Sequence, residues 1–215
     1  SGRFNLADFN VLAACGGFSY GDVLGGGGGW AGAVRHDPRV ADEFAQFFHA
    51  SSTLTLGVCN GCQMLAQLSD LIPGANAWPR FVRNRSEQFE ARLSAVEVTP
   101  SPSVLLADLV GAVLPVPVAH GEGLVHWPDA TQDADALVAM RFVDGNGAIA
   151  STYPQNPNGS IAGMTGFTST DGRATIMMPH PERATRVVQM SWAPSTWSGA
   201  SPWSQIFESA ARALA

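Results

Sequence analysis

Leu54-Thr55-Leu56-Gly57-Val58-Cys59-Asn60-Gly61-Cys62-Gln63-Met64-Leu65-Ala66-Gln67-Leu68 is the stretch on which the fold turns. Its first five residues read as a short buried strand, and from Cys62 onward apolar residues recur at helical spacing. Between the two stands a cysteine flanked by Gly57 and Gly61. A sharp strand-to-helix turn lifts the side chain at its apex clear of the sheet. The glycines permit a strained backbone and close packing of helix on strand. This is the pattern of a nucleophile elbow, with sulfur at the apex.

A nucleophilic thiol needs a base. Thr175-Ile176-Met177-Met178 reads as a second buried strand and runs into Pro179-His180-Pro181-Glu182-Arg183. Two prolines bracket His180 and rule out regular helix through it. In an extended segment Glu182 shares a side with the imidazole and can orient it. A free thiol, with a pKa near ~8.5, is only a few per cent thiolate at neutral pH. An imidazole partner and the positive end of the following helix both favour the thiolate. The plainer alternative, a structural thiol and a loop histidine, accounts for either residue singly and poorly for the two together.

Around these lie Ala14-Cys15-Gly16-Gly17-Phe18-Ser19-Tyr20-Gly21-Asp22-Val23-Leu24, Trp78-Pro79-Arg80-Phe81-Val82-Arg83-Asn84 and His120-Gly121-Glu122-Gly123. Tyr153-Pro154 and Asn156-Pro157-Asn158-Gly159-Ser160 follow. With the elbow and the His-Pro-Glu segment, these stretches resemble class I (triad-type) glutamine amidotransferases. They are more similar still to the C-terminal glutaminase domains of the phosphoribosylformylglycinamidine synthase family, over nearly the whole chain. The resemblance implies an α/β fold: a mostly parallel, doubly wound sheet flanked by helices, flavodoxin-like, with an antiparallel extension. It also implies one glutaminase domain over residues 1–215. Family domains begin with a strand and helix before the segment matching Phe9-Asn10-Val11-Leu12-Ala13-Ala14, which here lies almost at the start. The expectation is therefore a domain lacking its first βα unit, cut from a longer polypeptide.

The chemistry implied is hydrolysis of glutamine to glutamate and ammonia. Cys59, His180 and Glu182 form the triad. The backbone N–H of Asn60 and the Gly16-Gly17 segment supply oxyanion donors. By resemblance, Gln63 and the segment His120, Gly121 and Glu122 grip the α-ammonium and α-carboxylate. The partner implied is a synthetase portion of the same polypeptide, which uses the ammonia to convert formylglycinamide ribonucleotide to the amidine in purine biosynthesis. ATP and magnesium belong to that portion, with no cofactor or metal expected in this chain. Arg80, Arg83 and Arg85 are expected either to face it or to form a solvated strand edge. Family members carry Gly-Ala-Gly-Glu-Gly where this chain has Gly25-Gly26-Gly27-Gly28-Gly29, and arginine where Leu124 stands.

Composition bounds the alternatives. A chain of 215 residues that is 46% hydrophobic can bury a sizeable core. No run approaches the roughly 20 apolar residues of a membrane helix. The net charge of −6 argues against broad nucleic-acid binding. Three cysteines, one of them at the elbow, point to a reducing cytoplasmic setting. All twelve basic residues are arginine, so the glycine run cannot be a lysine-requiring phosphate loop. It reads instead as a loop beside the active site. Cys59 and Cys62 also form a C-x-x-C pair, open to redox or zinc readings, but the pair leaves Gly57 and His180 unexplained. Two other classes stay open: a cysteine peptidase or small-molecule hydrolase on a related sheet, and an inactive interaction module.

Overall fold

The computed structural model describes residues 4–17, 25–128 and 136–215. The Phe18–Leu24 part of the quoted N-terminal motif lies outside them. In chain order the elements are β1 (Val11–Ala14), α1 (Gly28–Arg35), α2 (Pro38–His49), β2 (Leu54–Val58) and α3 (Asn60–Gln67). Next come β3 (Arg80–Val82), β4 (Glu90–Val98), β5 (Val113–His120), β6 (Leu124–His126) and β7 (Val138–Val143). β8 (Met164–Thr168), β9 (Ala174–Met177) and α4 (Gln205–Ala213) complete the fold.

Seven strands form one sheet in the order β1-β2-β9-β8-β7-β4-β5, and β3 pairs with β6 in a separate two-stranded ribbon. The pairings among β1, β2 and β9 are parallel. From β9 through β8, β7 and β4 to β5 they are antiparallel. This is the α/β sheet with an antiparallel extension expected from the sequence. Side-chain alternation on β2 and β9 divides the core between the two faces. One face packs Phe47, Phe48, Met64, Leu65 and Ile176 under α1, α2 and α3. The other packs Leu54, Leu56, Val58, Met177, Trp203 and Ile206 under α4.

Local chemistry explains the ends of the elements. Asp37 caps α2, accepting hydrogen bonds from the Arg39 and Val40 amides, and Pro38 takes the first helical position. Edge strand β5 carries Pro115 and Pro117, which offer no N–H on the open side. Their carbonyls are used instead: Pro115 O accepts the Trp203 indole N–H at 2.8 Å, and Pro117 O accepts the His180 amide at 2.8 Å. The loop that carries His180 is thereby hung on the sheet edge.

Two readings need correction. The glycine run is only partly a loop, because Gly28 and Gly29 already form the first turn of α1. Arg80 does not face outward, since its guanidinium donates to the Ala66 carbonyl near the C-terminus of α3, where orphan carbonyls attract a cation. In the tail, Trp203 is fully buried, whereas Trp192 is 65% exposed. Among the described residues, no helix is long and apolar enough to cross a membrane.

Candidate active site

The elbow has the geometry its glycines predicted. Cys59 sits at φ 52°, ψ −111°, a left-handed conformation that a side-chain-bearing residue adopts only under constraint. Its amide donates to Met177 O of β9 at 2.9 Å. Close packing accounts for both flanking glycines. A Cβ on Gly57 would stand 2.6 Å from Leu65 Cδ1, and one on Gly61 would stand 2.8 Å from Ala14 Cβ and nearer still to the Ala14 carbonyl. The Gly61 amide also donates to Cys15 O at 3.1 Å, tying the end of β1 to the first turn of α3.

β9 leads His180 to the same place. His180 is fully buried, and its Nδ1 lies 2.6 Å from Glu182 Oε1. A Cβ added to Gly16 would come within 2.7 Å of His180 Cε1 and 3.2 Å of Cys59 Cβ. Imidazole, thiol and the end of β1 therefore converge on one point. Burial lowers the pKa of His180, but hydrogen bonding and charge from Cys59 and Glu182 outweigh it and raise it to about 9. The Cys59 sulfur also lies 3.8 Å from Ala119 O of β5.

Gly17, Cys59, Asn60, Gln63, His120, Gly121, Glu122 and His180 line one cavity of about 380 Å³. Gly16 lies against the His180 ring at Cε1, and Glu182 Oε1 meets the ring at Nδ1. Every candidate site residue read from the sequence is thus brought into one neighbourhood. His120 is 3% exposed, and burial, with the nearby His180 adding to it, lowers its pKa to about 3, so it is a neutral imidazole. Leu124, in place of an expected arginine, stands opposite Val82 in the ribbon, while Arg83 and Arg183 bring cationic side chains to the cavity. Cys62 is fully buried in the core and its thiol is pushed well up, first by burial and then by Cys59, which leaves it unsuited to exchange or metal ligation. Among the described residues, no group of three or more His, Cys, Asp or Glu side chains could hold a metal ion.

One arrangement escaped sequence reading. Asn60, Gln63 and Gln67 fall at i, i+3 and i+7 on α3, a single face of the helix. Asn60 Oδ1 accepts from the Gly27 amide at 2.7 Å, and Gln67 Nε2 donates to Gly26 O at 2.9 Å. Gln63 Nε2 donates to Glu122 O at 2.7 Å, and Glu122 Oε2 accepts from the Gly26 amide at 2.6 Å. A side chain on Gly26 would overlap the Gln63 carboxamide. Residues 26–27 are therefore a strap tied to α3 and to Glu122 beside the Gln63 side of the cavity. The polar stripe itself was the available signal, being amide-bearing at helical spacing on an otherwise apolar helix.

Residues 1–212 match the CobB/CobQ-like glutamine amidotransferase domain. Among solved structures, the chain is similar to PurLQS from Thermotoga maritima at 25% identity, covering 99% of this chain and 84% of that one, with a TM-score of 0.73. It is also similar to a glutamine amidotransferase from Thermotoga maritima at 18% identity, covering 84% of this chain and 59% of that one, with a TM-score of 0.48.

Proposed function

Since the chain belongs to the CobB/CobQ-like glutamine amidotransferase family, we propose that residues 1–215 act as one glutaminase domain whose Cys59, His180 and Glu182 hydrolyse glutamine. The observation that carries this reading is the convergence of the Cys59 and His180 side chains on Gly16 at the cavity wall. The Cys59 thiolate attacks the side-chain amide carbon. Negative charge passes to the oxygen, stabilised by the backbone N–H of Asn60 and by the Gly16-Gly17 segment. The amide C–N bond breaks as the His180 imidazolium gives its Nε2 proton to the departing ammonia. A γ-glutamyl thioester remains. Neutral His180 then takes a proton from water, whose oxygen attacks the thioester, and glutamate leaves as the thiolate is restored. Glu182 holds Nδ1–H and stabilises the cation in both half-reactions.

Glutamine's amino-acid end rests on Gln63 and the His120, Gly121 and Glu122 segment, beneath the strap. The likeness to PurLQS supports a place in purine biosynthesis. There the ammonia would pass to a synthetase portion that makes formylglycinamidine ribonucleotide, and ATP and magnesium would bind that portion, leaving this chain without a cofactor of its own. Residues of the Arg83 and Arg85 segment, exposed beside the cavity mouth, would face it.

The test is glutamate release from L-glutamine by the full chain, with and without the synthetase, for the unaltered protein and Cys59→Ala. Release that vanishes in the variant supports the reading. Release that survives Cys59→Ala, or cleavage of a peptide in preference to glutamine, overturns it.

A further inference from the structure

The segment His120–Gly123 leaves the sheet at the end of β5 and forms part of the cavity wall before β6 begins. His120 still stands opposite Glu90 of β4, but beyond it the half-buried backbone has no neighbouring strand, so something else must satisfy its peptide groups. One side chain does most of this. Asn84, 1% exposed, donates from Nδ2 to His120 O at 2.8 Å and accepts at Oδ1 from the Gly123 amide at 2.8 Å. Its own backbone amide donates to Gly121 O at 2.9 Å. A single residue therefore holds three of the four residues in the segment. The second Nδ2 hydrogen goes to Gln88 O at 3.0 Å, which closes the 84–88 turn around the same carboxamide.

The remaining peptide group is held from the other side. Asn158, fully buried, donates to Gly123 O at 2.7 Å, and its carbonyl accepts the Arg85 amide at 3.1 Å. The segment so fixed presents Glu122 to its two partners, the Gln63 carboxamide and the Gly26 amide. None of these bonds reaches the Cys59–His180 pair, which is positioned by β9, by Pro117 O and by Gly16.

We propose that Asn84 is a positioning residue for substrate recognition: its carboxamide sets the His120–Gly123 segment so that Gln63 and Glu122 meet the amino-acid end of glutamine. The proposal rests on the glutaminase reading above. Asn84 touches no substrate and acts only through the segment it holds. A residue of this kind governs binding in the ground and transition states alike, so its loss belongs in KM rather than kcat.

The deciding variant is Asn84→Asp in the full chain. The change is isosteric and keeps an acceptor for the Gly123 amide, but it turns an oxygen toward the His120 and Gln88 carbonyls. KM for L-glutamine is expected to rise about tenfold or more, with kcat within about threefold of the unaltered protein. Alkylation of Cys59 by iodoacetamide should keep its rate and pH profile, a readout that general loosening of the site would shift. An unchanged KM, a loss confined to kcat, or slowed alkylation would each overturn the proposal. A second measurement needs no substitution: amide hydrogen exchange in the unaltered protein, where added L-glutamate should further slow the Gly123 amide. Exchange at Gly123 that ignores glutamate counts against Asn84 equally. Failure of the glutaminase reading appears separately, as absence of glutamate release from the unaltered protein before any variant is made.

Discussion

Replacing Gly61 with alanine puts the packing of the elbow to a quantitative test. The new methyl would lie 2.8 Å from Ala14 Cβ and closer to the Ala14 carbonyl. Carbon atoms are comfortable at about 3.5–4.0 Å, so α3 and β1 must part by roughly 0.7 Å or more. Overpacking of this kind costs about 1–3 kcal/mol. Separation also strains the Gly61 amide bond to Cys15 O, a further ~1 kcal/mol. A total of about 3 kcal/mol is expected, which for a chain of this length lowers Tm by roughly 6–12 °C. Urea unfolding followed by tryptophan fluorescence supplies the free energy, with a lower midpoint at constant slope. Gly145→Ala is the internal control, because nothing lies within 4 Å of a Cβ there and no positive φ forbids it. Its stability should stay within about 1 kcal/mol of the unaltered protein. Should Gly61→Ala match Gly145→Ala, then helix and strand do not approach as closely as described and the account of the elbow fails.

Two further outcomes follow from the site and the core. The His180 pKa of about 9 stands above its ordinary value, so the stabilisation it brings is complete below about pH 6.5 and is lost as pH rises through 9. The amount is on the order of 2–3 kcal/mol, the lower figure allowing for the part-exposed Glu182 carboxylate. Urea midpoints at pH 6 and 9.5 should therefore differ more for the unaltered protein than for His180→Gln, and an equal difference would contradict the assignment. Trp203→Ala removes a fully buried indole and its hydrogen bond to Pro115 O, and should cost about 3–5 kcal/mol by urea unfolding. A loss under about 1 kcal/mol would mean that α4 is not anchored through this ring.

The parts legible in the sequence are those where backbone and chemistry demand particular residue types. Gly57 and Gly61 around Cys59, and Pro179 and Pro181 around His180, specify a turn and an extended segment whatever surrounds them. Strands β2 and β9 showed themselves as short apolar runs leading into the two motifs. The short strands β3 and β6 did not, because three residues carry too little period to read. The start of α1 at Gly28 was hidden for a different reason: glycine is a poor helix former, and tertiary contacts override that preference here. Arg80 was misread because an arginine on a short strand looks solvated until the carbonyl it caps, fourteen residues earlier, is in view.

The asparagines show the same limit from the other direction. Asn84, Asn156 and Asn158 stand in stretches that carried the family resemblance without any role assigned to these asparagines, a residue common in turns for turn chemistry alone. Asn156 does serve its own turn, accepting the Gly159 amide at 3.0 Å, although its Nδ2 also reaches Ala150 O and Ser160 O. Asn84 and Asn158 reach across 36 and 35 residues to the cavity wall. All three are buried, Asn156 at 2% exposure and Asn84 and Asn158 at 1% and 0%, so what separates the two kinds is reach: a buried, paired carboxamide that ties distant segments is costly to displace. The proposed triad was therefore open to reading from local motifs, whereas the cavity wall beside it depends on pairings between distant segments. Substitutions at the motifs should stop turnover, and substitutions at the asparagines should leave a competent thiol that holds glutamine poorly.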